Sequence, residues 1–142
     1  MPLAGTLVLV VDDDADNVDV LEFLIADAGA TVRTALSAKA ALQLLSGWTP
    51  DVLLLDISMP EMDGVDLLSA IRCQPELQGV PAIAVSALKY SSDKERAFSA
   101  GFSAYMTKPY EPLALVELVD WLASPDRRDK GPARRSPSVS MP

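Results

Sequence analysis

The chain has 142 residues, 49% of them apolar and 23% charged. That apolar share supplies a core and excludes a wholly disordered chain, and the length fits one domain of about 100–150 residues. The net charge is −8, but residues 124–142 hold five basic and two acidic side chains, leaving −11 on residues 1–123. A body that acidic repels phosphate backbones and argues against nucleic acid as a direct ligand. Histidine is absent, which removes His-dependent triads, His-ligated zinc and a phosphohistidine donor role. The single cysteine, Cys73, suits a reducing compartment. Met1–Thr6 lacks a basic n-region, and charges break every apolar run before the ~20 residues of a membrane span, so a cytoplasmic protein without a membrane partner is expected.

In chain order, Leu7–Val11 opens as a continuous aliphatic run, the pattern of a parallel strand buried on both faces. Asp12-Asp13-Asp14-Ala15-Asp16 follows, and Asp14 or Asp16 suits the cap of a first helix. Val20, Leu21, Leu24, Ile25 and Ala28 give that helix an apolar face, and Gly29 stops it. Thr31–Ala35 is a weaker, outer-type strand. Ser37 caps a second helix with Ala41, Leu42, Leu44 and Leu45, ending at Gly47.

Val52–Leu55 is the next buried run and leads into Asp56; Val65, Leu67, Leu68 and Ile71 mark a third helix. After Val80–Val85, Ser92 and Glu95 have capping-box spacing at the start of a fourth helix that ends at Gly101. Ala104–Met106 is another outer-type strand, and Pro112 suits the first turn of a fifth helix with Leu113, Val116, Val119 and Leu122. Residues 124–142, rich in Pro, Ser and Arg without apolar periodicity, read as a flexible basic tail. The reading is thus one α/β domain over residues 1–123, a five-stranded parallel sheet of order 2-1-3-4-5 with helices on both faces. Neither GxGxxG nor GxxxxGK[ST] is present, which sets aside dinucleotide binding and an ordinary NTPase.

In such a sheet the site lies at the carboxyl ends of the strands. The first strand ends in Asp12-Asp13-Asp14, the third in Asp56, the fourth in Ser86 and the fifth in Thr107-Lys108-Pro109, while the second ends in Ala35-Leu36 with nothing polar. Carboxylates gathered there need a compensating cation, and oxygen-only ligands select Mg²⁺ or Mn²⁺. Lys108 adds a point charge and Ser86 a hydroxyl, so the parts suit a phosphoryl group in transfer, with Asp56 as nucleophile. Asp12-x-Asp14-x-Asp16 also resembles the start of an EF-hand loop, but Asn17 and Phe23 stand where Gly and Glu are needed. Asp12-x-Asp14 further resembles the nucleophile motif of haloacid-dehalogenase-like phosphatases, which remains the enzyme alternative.

Four strings together resemble the receiver domain of two-component response regulators: Val10-Val11-Asp12-Asp13, Asp56-Ile57-Ser58-Met59-Pro60-Glu61-Met62-Asp63-Gly64, Ala84-Val85-Ser86-Ala87 and Tyr105-Met106-Thr107-Lys108-Pro109-Tyr110. The resemblance covers residues 5–123 and implies the flavodoxin-like (CheY-like) version of the sheet. It implies Asp12 and Asp13 as the metal-binding pair, Asp56 as phosphoacceptor and the Ser58 carbonyl as a further metal ligand. It also implies Ser86 as the switch hydroxyl, Lys108 as ion-pair partner and Tyr105 as an aromatic switch. The implied function is acceptance of a phosphoryl group from a sensor histidine kinase or histidine phosphotransfer protein, followed by a conformational signal to a downstream effector protein. A monomer or weak dimer is expected, without enzyme turnover beyond self-catalysed phosphorylation and dephosphorylation. A receiver-like binding module that works without phosphorylation is the other alternative. Ser58 and Leu88 stand where the family tunes dephosphorylation, and neither suits holding a water, which implies a long-lived phosphorylated state.

Overall fold

A computed structural model describes residues 1–59, 62–87, 91–124 and 138–142. The expected alternation is present: β1 (Leu7–Val11), α1 (Ala15–Asp27), β2 (Thr31–Ala35), α2 (Ala38–Leu45), β3 (Val52–Asp56), α3 (Gly64–Ile71), β4 (Ala82–Ser86), α4 (Ser91–Ser99), β5 (Ala104–Thr107) and α5 (Pro112–Ala123). The strands lie in the order β2-β1-β3-β4-β5, all parallel. One strand was not foreseen. β6 (Val139–Ser140) lies within the segment read as a tail and pairs antiparallel with the outer edge of β5.

Every residue of β3 and β4 is buried, which explains why their sequences are continuous apolar runs rather than alternating ones. Successive side chains point to opposite faces and build two cores. Leu9, Val11, Leu53 and Leu55 join Ala41 and Leu45 of α2 and Leu67, Leu68 and Ile71 of α3 on one face. Val8, Val10, Val52, Leu54, Ile83 and Met106 join Val18, Leu21 and Ile25 of α1 and Leu115, Leu118 and Leu122 of α5 on the other. β2 is an edge strand as expected, with a half-solvated pattern. β5 is not solvated in that way, because Ala104, Tyr105 and Met106 are all fully buried.

Several local expectations need correction. Val20 is 53% exposed, and Val18 fills the core position that the helical pattern assigned to it. Leu113 likewise faces solvent. α4 begins at Ser91, so Ser92 lies inside its first turn rather than capping it. The fully buried Leu3 was not read as core; its N–H bonds the Ala28 carbonyl at 2.9 Å, which ties the chain start to the end of α1. Gly29 permits that packing. Its φ is +108°, and a Cβ there would stand 2.7 Å from the Met1 Cβ and 3.0 Å from the Ala4 nitrogen.

Candidate functional site

The carboxyl ends of β1, β3, β4 and β5 converge as the switch-point rule requires. Asp12 directly follows β1, and Asp56 is the last residue of β3. Both are buried while Asp13 is exposed, and one carboxylate oxygen from each of the three lies within 4.8 Å of the others. Asp12 Oδ1 accepts the Asp14 N–H at 2.9 Å, and Asp56 Oδ1 accepts the Ser58 N–H at 2.7 Å. Each carboxylate turns its other oxygen to the same cation: Lys108 Nζ stands 3.3 Å from Asp12 Oδ2 and 3.4 Å from Asp56 Oδ2.

Two buried carboxylates sharing one ammonium, with the exposed Asp13 beside them, leave an excess of negative charge. Burial pushes the Asp56 carboxyl above its ordinary range; the Ser58 N–H opposes this, the Asp12 charge adds to it and Lys108 again opposes it. The three carboxylates offer only oxygen donors within 4.8 Å of one another, so the donor set fits Mg²⁺ or Mn²⁺.

Ser86 ends β4 with no exposed surface, and its carbonyl accepts the Lys108 N–H at 2.8 Å. Its hydroxyl hydrogen-bonds the phenol of the fully buried Tyr105, whose pKa is pushed up chiefly by burial. Ser86 therefore couples both to Tyr105 of β5 and to Lys108, which directly follows that strand. Tyr110 packs beside the acids: burial, then the Asp12 charge, raises its phenol pKa.

Other acids prove structural. Asp14 caps α1, accepting from the Asp16 and Asn17 N–H groups, as expected of one of the pair. That use of its carboxylate leaves the phosphatase motif without its second acid. Sequence reasoning overlooked Asp63, which caps α3 through the Asp66 N–H at 3.0 Å and pairs with Arg96 of α4 at 2.6 Å. It also overlooked why Gly64 follows. A Cβ at Gly64 would lie 2.9 Å from the Asp56 carbonyl carbon and from Ile57 Cα, and closer still to the Asp56 oxygen. Only glycine lets α3 close on the end of β3. The Asp-Gly pair was the available signal.

Met59 and Met62 pack on the core beside α2 and α3, and Trp48 packs there with the Arg33 guanidinium 4.6 Å over its ring. Cys73 is exposed. Pro60, Glu61, Leu88 and Tyr90 lie outside the described residues.

A parallel α/β sheet that gathers an acid triad, a lysine and a hydroxyl at its carboxyl edge defines a receiver-type module. The chain belongs to the response regulator receiver domain family, whose model matches residues 8–120. A protein described as an uncharacterized 14.6 kDa protein in the sodA1 3′ region of Leptolyngbya boryana is 45% identical over 82% of this chain and 89% of its own length. The transcriptional regulatory protein KdpE of Mycobacterium tuberculosis is 38% identical over 74% of this chain, which spans only 45% of KdpE. The structure of the Vibrio cholerae chemotaxis protein CheY4 superposes with a TM-score of 0.80 at 26% identity, covering 84% of this chain and 99% of that one. Receiver domains are phosphoacceptor signalling modules rather than turnover enzymes, and they pair with histidine kinases. Among the described residues, no helix is long and apolar enough to cross a membrane.

Proposed function

We propose that Asp56 accepts a phosphoryl group from a phosphohistidine on a sensor histidine kinase or histidine phosphotransfer protein. The observation that carries this reading is the shared ammonium. Lys108 reaches Asp12 and Asp56 together, so the acceptor carboxylate is held at the centre of a prearranged charge cluster. In the transfer, an Asp56 oxygen bonds to phosphorus as the bond from phosphorus to the imidazole nitrogen breaks, and the imidazole leaves with the electron pair. The Ser58 N–H holds one Asp56 oxygen and so fixes which one attacks. Lys108 neutralises charge developing on the phosphoryl oxygens.

Asp12, Asp13, Asp56 and the Ser58 carbonyl would hold Mg²⁺ or Mn²⁺, which supplies charge neutralisation for the incoming anion. Ser86 would exchange its phenol partner for a phosphoryl oxygen, freeing Tyr105 to readjust and carry the signal to an effector protein. A receiver in contact with cytoplasmic kinases is itself cytoplasmic, with residues 1–123 as the signalling domain.

The test is incubation with Mg²⁺ and acetyl phosphate, followed by intact mass. One phosphoryl group is expected on the unmodified chain and none on Asp56→Asn or after chelation. Equal labelling of the Asp56→Asn chain would overturn the assignment.

A further inference from the structure

The unexpected sixth strand lies against the strand that leads directly into the site's cation, Lys108. Thr107 donates its N–H outward to the Ser138 carbonyl at 2.8 Å, and the next residue, Lys108, donates inward to the Ser86 carbonyl at 2.8 Å. Consecutive peptide groups are therefore gripped from opposite sides, and the Cα that bears the Lys108 side chain directly follows the second of them. Tyr105, which hydrogen-bonds Ser86, stands opposite Ser140, and Met106 stands opposite Val139. Val139 and Met141 pack against the core cluster that contains Met106.

This grip is weak by construction. It has two paired residues, Ser138 to Met141 are all half-exposed, and the chain must hold its ends together across residues 125–137. The edge it covers needs a cover. Thr31 on the opposite edge, β2, is exposed and Arg33 is a charged neighbour, whereas β5 reads Ala104-Tyr105-Met106-Thr107 with no charge. An uncharged edge with open N–H and C=O groups is a template for any extended chain.

We propose that the chain's own residues Ser138–Met141 form a releasable clasp on the outer edge of β5, and that this clasp loosens when Lys108 loses its carboxylate partners. The physical link is the shared backbone between Thr107 and Lys108. Anchoring of the Lys108 side chain on Asp12 and Asp56 restricts that backbone, and a restricted backbone pairs with β6 at lower entropic cost. The acidic site thereby sets how open the edge is. The inference goes beyond the phosphoryl-acceptor reading and needs only the ion pairs, so it can fail or succeed independently of that reading.

The experiment is amide hydrogen exchange by NMR on the full chain in metal-free buffer, with each rate taken relative to the Leu54 amide in β3. Thr107 is expected to be protected, yet to exchange faster than Lys108. Val139→Asp and Ser140→Pro, which disturb the clasp without touching the site, should each speed Thr107 at least tenfold and leave Lys108 unchanged. Lys108→Gln should speed Thr107 at least threefold, and Asp56→Asn, which removes one of the two charged partners, should move it in the same direction by less. A Thr107 amide that is unprotected in the unmodified chain would show that no clasp exists. A Thr107 rate unmoved by both Lys108→Gln and Asp56→Asn would overturn the link.

Discussion

Asp56 and Asp63 are the same residue type seven positions apart, and the fold uses them in opposite ways. Asp63 sits at the start of α3, where the Asp66 N–H and the Arg96 guanidinium both favour its charged form. Partial burial pushes its carboxyl up, but the Arg96 and Asp66 hydrogen bonds outweigh it and hold the group below the usual carboxylate range. Asp56 sits at the end of β3 beside a like charge, and burial drives it the other way. One acid stabilises the fold. The other is ionised only at a cost, in the form in which the proposed phosphoryl acceptor would attack. Gly64 joins them, since the backbone immediately after Asp63 rests on the backbone of Asp56.

The largest expected effect comes from breaking that junction. Gly64→Ala should cost about 2 kcal/mol or more in urea denaturation, because the added methyl meets rigid backbone. Gly79→Ala, where a Cβ meets nothing within 4 Å, should stay within about 0.5 kcal/mol. Asp63→Ala should cost about 1 kcal/mol through the lost cap. Arg96→Ala should cost less than that, since its side chain is 52% exposed and exposed ion pairs are worth under about 1 kcal/mol.

A smaller effect sharpens the contrast through pH. A carboxyl depressed in the folded state, such as Asp63, contributes stability that is present above its unfolded pKa and lost as pH falls through the folded value. The gap between the unmodified chain and Asp63→Ala should therefore narrow below the ordinary carboxylate range in denaturation series at stepped pH. For Asp56 the sign reverses, because a raised carboxyl makes the folded state bind the proton more tightly. Its ionisation costs stability as pH rises through that raised value, so Asp56→Asn should gain stability at neutral pH and lose the gain in acid.

The parallel sheet was legible because β3 and β4 are buried on both faces, so their aliphatic runs and the polar residue closing each run stand out without any long-range information. The acid site was legible for the same reason: Asp12, Asp56, Ser86 and Lys108 each end a recognisable strand. Asp63 and its partner were not, because Arg96 lies on another helix and nothing local marks the pair. β6 was missed since a two-residue strand has no periodicity; only the uncharged edge of β5 calls for it. Val20 and Leu113 misled because an apolar residue one step off the helical stripe looks, in sequence, like part of it.

Paired thermal melts are the sharpest check that these two acids have opposite effects on the fold. Asp56→Asn and Asp63→Ala would be melted beside the unmodified chain at neutral pH with a chelator present. Asp56→Asn should melt a few degrees higher and Asp63→Ala a few degrees lower. If Asp56→Asn melts lower as well, the Asp56 charge supports the fold rather than straining it, and the two acids do not act in opposite ways.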